Sequence, residues 1–160
     1  MTAILTRASR GQDLVDPALL EHLVNDVRRE HGHNHATAER IVDQALVYLV
    51  ACGRTSEPIG PSELVDRGWH AFILRTAEYR DFCARVLGSF VDHHPNDVRP
   101  TTVQRASMNA RTLDAVYATG LYVDLEMWAE IATSGSNCSD AGSGGSGDGC
   151  HKGCHDSQAR

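Results

Sequence analysis

The chain has 160 residues, 41% of them apolar, and a formal net charge of −6, which suits one domain with one hydrophobic core. Its basic residues are scattered, with Lys152 the sole lysine, and this excludes a nucleic-acid binder, because phosphate affinity needs clustered Lys and Arg. No stretch reaches the roughly 18 apolar residues of a membrane span and the N-terminus lacks the apolar run of a secretory signal, so we expect a cytoplasmic protein, off the membrane, with its five cysteines reduced.

Residues 1–13 are small and mixed and read as a flexible arm. Asp16 is a good N-cap and Pro17 suits the first helical position; Leu19, Leu20, Leu23, Val24 and Val27 then recur at helical spacing as far as Arg29 or Glu30. His31-Gly32-His33-Asn34-His35 makes a short loop into a second amphipathic helix over 38–51, with Ile41, Val42, Ala45, Leu46, Leu49 and Val50 inward. The two form an antiparallel hairpin. A turn-rich connection, Gly53 to Pro61, leads to the stretch that carries most of the chemistry.

Ser62 caps that stretch and Gly88 closes it, so the spacing predicts one continuous helix of roughly 25 residues, about 38 Å long. Val65, Trp69, Phe72, Thr76, Tyr79, Cys83 and Val86 share one stripe, a core face. Asp66 and His70 lie together on its flank. A loop over 89–100 follows; Thr101 or Thr102 caps a fourth helix with Val103, Ala106, Ala110, Leu113, Val116 and Tyr117 inward. Gly120 ends it, and Leu121 to Ile131 reads as a fifth, short helix. The fold class is therefore all-α, a bundle of about five helices over 14–133. Residues 134–160 are rich in glycine and serine with almost no aliphatic residue, a composition that predicts a disordered tail.

Three donor sets stand out. Asp66 and His70, at i and i+4, share a helix face and suit a buried polar pair, acid–base work or two ligands to one metal ion. His93 and His94 follow the long helix; contact with His70 requires that helix to end early or bend sharply, and a straight rod would instead gather them with His31, His33 and His35 at one pole. Cys150, His151, Cys154 and His155, with Cys138 upstream, form a thiolate and imidazole cluster in the tail. These donors suit zinc or another transition metal as a cofactor; the alternative is no cofactor, with solvated loop histidines, a helix-capping pair and a free, reactive tail. Cys83, 13 residues beyond His70, lies about 20 Å along a straight helix from it and reads as core together with Trp69, Phe72 and Tyr79. No nucleophile elbow, Walker loop, dinucleotide fingerprint or HExxH occurs.

The ordered set Val65-Asp66-x-x-Trp69-His70-x-Phe72-Ile73-Leu74-x-Thr76-x-x-Tyr79-x-x-Phe82-Cys83, then Gly88, Phe90, His93, His94 and Pro95, resembles the glycine-rich domain-containing protein-like family. The resemblance is tight over this segment and loose over residues 15–130. It implies an all-helical domain and says little about activity. Three functions fit the residues: a binding or interaction module for a protein partner with metal capacity in its Cys and His residues; a metalloenzyme built on Asp66 and His70 with a histidine from elsewhere; and a recognition domain whose cysteine-bearing tail is modified.

Overall fold

Every residue from Ile41 to Ala51 is buried, and a helix buried on all sides has to run through the middle of a domain. In the computed structural model, which describes residues 9–94 and 100–133, the other elements are laid around this one. A 3₁₀ turn, Gly11–Leu14, precedes α1 (Pro17–His31), α2 (His35–Arg54), α3 (Glu63–Leu74) and α4 (Thr76–Phe82). A π-helical turn, Cys83–Leu87, ends at Gly88; α5 (Thr102–Tyr117), a second 3₁₀ turn (Leu125–Trp128) and α6 (Ala129–Thr133) complete the order. The described residues are all-α, without a strand, and no helix among them is long and apolar enough to cross a membrane.

The local signals act as their chemistry dictates. Asp16, Asn34, Ser62 and Thr101 each accept a hydrogen bond from a main-chain N–H three residues on, closing the first turns of α1, α2, α3 and α5. Gly32 ends α1 in the left-handed region, at φ 71°, and so reverses the chain into the α1–α2 hairpin. Leu23, Val24 and Val27 of α1 are buried. α3 lies close on α2 because Gly68 has no side chain: a Cβ there would stand 2.8 Å from Ala45 Cβ and 2.9 Å from the Ile41 carbonyl oxygen.

The single rod expected from Ser62 to Gly88 is broken. At Arg75 the backbone turns to φ −91°, ψ 66°, and α4 starts in a new direction. Trp69 and Tyr79, ten residues apart, would be separated by about 15 Å along a straight helix, yet Trp69 Nε1 donates to the Tyr79 hydroxyl at 3.0 Å. Arg75 itself is tied to α1, with Nε 2.7 Å from Asp26 Oδ2. Thr76, expected in the core stripe, is exposed at this corner, whereas Val65, Trp69, Phe72, Tyr79, Cys83 and Val86 are buried.

Three further expectations are revised. α5 turns Asn109, Thr112 and Val116 inward, leaving Val103, Ala110 and Tyr117 exposed; Thr112 is tolerated there because its Oγ1 accepts from Gly60 N and donates to the Met108 carbonyl. The segment from Leu121 to Ile131 is a 3₁₀ turn and a short α-helix joined after an irregular stretch, since Asp124 breaks it by capping the turn. Residues 9–13, assigned to the arm, are pinned: Gly11 is buried, Gln12 N donates to Asp43 Oδ1 at 2.9 Å, and Tyr122 N donates to the Ser9 carbonyl.

Candidate metal centre

Ser62 sets the position of the site. Only 1% exposed, it caps α3 and donates to the Met127 carbonyl at 2.6 Å, fixing the start of α3 to the C-terminal segment. One turn on, Asp66 and His70 emerge on the same side, with His70 Nδ1 3.1 Å from Asp66 Oδ2 and 3.0 Å from the Asp66 carbonyl oxygen.

The break at Arg75 and the left-handed Gly88, φ 83°, return the following segment to α3. Tyr79 holds it there, its hydroxyl donating to the Val91 carbonyl at 2.7 Å. Two residues later His93 enters between the rings of Trp69 and His70, each 4.5 Å away between centroids. Its Nε2 comes within 3.4 Å of Asp66 Oδ1.

One ligand atom each from Asp66, His70 and His93 therefore lies within 4.8 Å of the others. An ion with tetrahedral bonds of about 2.0–2.1 Å sets neighbouring donors about 3.3 Å apart; His70 Nδ1 lies 3.1 Å from Asp66 Oδ2 and His93 Nε2 3.4 Å from Asp66 Oδ1, two different carboxylate oxygens, so one ion is reached by rotating the carboxylate or by using both of its oxygens. The same distances also suit hydrogen bonds from two imidazoles to one carboxylate, so the arrangement serves a hydrogen-bonded trio or a metal ion. Two histidines and a carboxylate from a helix and a loop suit zinc and ferrous iron alike.

Asp66 and His93 line a cavity of about 610 Å³. Tyr48 and Cys52 of α2 and Trp69 of α3 contribute to its wall. Burial pushes the Cys52 thiol up to about 11, so it stays a neutral thiol at physiological pH and is a poor nucleophile.

Of the donors singled out in the sequence, Asp66, His70 and His93 meet. His94 lines the same cavity but stands outside the three-donor group. The pole of five histidines does not assemble, because the bend carries His93 to the flank of α3. His33 instead faces Arg67, 3.1 Å from Nη1, and burial followed by the nearby Arg67 charge lowers its pKa. His35 lies 3.3 Å from Glu21 Oε2. Cys138, Cys150, His151, Cys154 and His155 lie outside the described residues. Sequence reasoning missed Tyr48, Cys52, Glu57, Glu63, Asp92 and Glu130 of the cavity; they come from five separate stretches, and no local pattern links them.

No curated protein and no solved structure matches the chain. One family model does, over residues 10–116, a span that holds α1 to α5 almost whole together with Asp66, His70 and His93. On that match the chain belongs to the UCP032817-like family.

Proposed function

We propose that this protein is a cytosolic helical module that holds one transition-metal ion, zinc first among them, on Asp66, His70 and His93. The observation that supports it is the convergence of three donors, two from one face of α3 and one from a loop returned by a helix break, within 4.8 Å of one another. Three protein ligands leave a coordination position for water or substrate. Because Asp66 and His93 also line the cavity, a second reading gains weight: a metalloenzyme using the ion as a Lewis acid there. The resemblance to the glycine-rich domain-containing protein-like family agrees with the helical scaffold and adds no chemistry. The tail donors, from Cys138 to His155, offer a separate and weaker site.

Elemental analysis of the full chain after zinc loading tests this, using a background with Cys138→Ser, Cys150→Ser and Cys154→Ser to silence the tail thiols. We expect about one equivalent of zinc, lost in His70→Ala and in His93→Ala and kept in His94→Ala. Equal zinc in all four proteins, or none in any, would sink the proposal. The cobalt-loaded protein adds a check, since its visible spectrum reports nitrogen and oxygen ligation directly.

A further inference from the structure

We infer that a thiolate from the segment beyond Thr133, Cys150 or Cys154, takes the open coordination position of this centre and closes it, an inference that rests on the metal reading above. The described residues leave that position to be filled from elsewhere. Their cysteines are Cys52 and Cys83. Cys83 is buried in the core, and Cys52, although it lines the neighbouring cavity, does not join the three-donor group. The group itself is open to an incoming ligand: the side chains of His70, Asp66 and His93 are 49%, 34% and 25% exposed.

The fold tethers the cysteine-bearing segment at this place. Ser62 and Glu63, at the head of α3, donate to the Met127 carbonyl and to Glu130 Oε2 at 2.6 and 2.9 Å, and Glu130 lines the same cavity as Asp66 and His93. Asp66 follows Glu63 by three residues and Thr133 follows Glu130 by three, each about 4.5 Å of helix rise. With the side chains included, Thr133 lies at most about 25 Å from the centre.

The length of the segment fits that gap. Of the 16 residues from 134 to 149, 11 are Gly or Ser, and a linker of this composition spans about 21–25 Å over the 17 residues to Cys150 and about 23–27 Å over the 21 to Cys154. A span matched to its gap gives an effective concentration on the order of mM. Cys138, five residues beyond Thr133, reaches at most about 18 Å fully extended. Lys152 stands between the two distal cysteines, and an ammonium beside a thiol favours the thiolate. Charge agrees, since one carboxylate and two neutral imidazoles leave a dication with one positive charge, which a thiolate cancels. On binding, the thiol proton passes to solvent and the sulfur displaces the coordinated water, giving the four-ligand arrangement of a closed site. A donor set that is weak by itself thereby strengthens the centre.

The test uses the full chain under reducing conditions, loaded with one equivalent of cobalt, whose near-ultraviolet charge-transfer band reports thiolate ligation; zinc affinity is measured alongside by chelator competition. We expect the band in the parent and in Cys138→Ser, and its loss in Cys150→Ser with Cys154→Ser. Zinc affinity in that double variant should fall about tenfold or more. The band should also vanish in His70→Ala and in His93→Ala, and keep its intensity per bound cobalt on dilution. One equivalent of cobalt bound without the band overturns the inference alone. So does a band that survives both histidine variants, which marks a separate tail site, a band that depends on Cys138 instead, or one lost on dilution at constant occupancy, which makes the donor a second copy. If the protein with all three tail cysteines changed to serine takes up no cobalt, the metal reading is overturned, and the inference with it.

Discussion

Replacing Gly68 by alanine pits two effects against each other. Helix propensity favours alanine by about 1 kcal/mol in a helix interior. Packing opposes it. The new Cβ would lie 2.8 Å from Ala45 Cβ and 2.9 Å from the Ile41 carbonyl oxygen, whereas carbon contacts settle at about 3.5–4.0 Å. Neither neighbour is the free end of a flexible side chain, so α3 as a whole has to withdraw from α2. That loosens the seating of Val65, Trp69 and Phe72, all buried on this side. Contacts this short, one of them on backbone, put the overpacking cost in the upper part of the usual range, at about 2–3 kcal/mol; less the propensity gain of about 1 kcal/mol, the net loss is about 1–2 kcal/mol. For a domain of this size that lowers Tm by roughly 4–8 °C. Urea denaturation followed by tryptophan fluorescence reads it as a lower midpoint with an unchanged slope. A variant as stable as the parent, or more so, would refute the close crossing of the two helices at this glycine.

Two more predictions follow from the centre of the bundle and its C-terminal clasp. Gln44 is fully buried; its Nε2 donates to Asp43 Oδ2 and the Tyr122 carbonyl, and its Oε1 accepts from Asp124 N and Trp128 Nε1. Gln44→Ala strands these groups at about 1–3 kcal/mol for each left unsatisfied, so chemical denaturation should show a loss of at least about 3 kcal/mol. A smaller loss than an ordinary core truncation would count against the hub. Arg40 grips Asp124 through Nε and Nη2 at 2.6 and 3.0 Å, and its hydrogen bonds hold the Asp124 carboxyl below the usual range. The depressed pKa contributes stability above about pH 4 that is lost as the pH falls through the folded-state value. Arg40→Met should therefore flatten the acid limb of a stability-against-pH curve, and an unchanged limb would contradict the pairing.

How much of this was legible depends on whether the cause was local. The caps at Asp16, Ser62 and Thr101 and the reversal at Gly32 are written in neighbouring residues, and each does what its chemistry requires. Asp66 and His70 are legible for the same reason: four residues of helix bring them together whatever surrounds them. The break at Arg75 is not, since neither Gly nor Pro stands there; tertiary bonds to Asp26 and between Trp69 and Tyr79 hold it. Without the break, His93 belongs to the far pole. With it, His93 becomes the third donor. The inward face of α5 is not legible either: its apolar stripe suggests one face, whereas the buried face includes Asn109 and Thr112, the latter satisfied by the main-chain N–H of Gly60. Gln44 sits within an apolar run and gave no sign that it ties the last segment to the bundle.

The same dependence makes Tyr79 a positioning residue for the proposed centre, although it supplies no donor to it. Its hydroxyl accepts from Trp69 Nε1 and donates to the Val91 carbonyl, joining α3 to the segment whose next residue but one is His93. Tyr79→Phe keeps the ring, which packs edge-on against Phe72 at 5.2 Å, and leaves the indole N–H and that carbonyl unpaired. The stability cost is about 1–3 kcal/mol. A structural role alone would end there. Positioning predicts more: zinc affinity, measured by competition with a chromophoric chelator well below the melting temperature, should fall about tenfold, the scale on which outer-shell partners tune metal sites. Phe72→Leu supplies the comparison, because it disturbs the same aromatic cluster without touching either hydrogen bond. If Tyr79→Phe keeps zinc affinity within twofold of the parent, or if Phe72→Leu weakens it as much, the loop is seated on α3 by packing alone and the tyrosine bridge does not hold His93 in place.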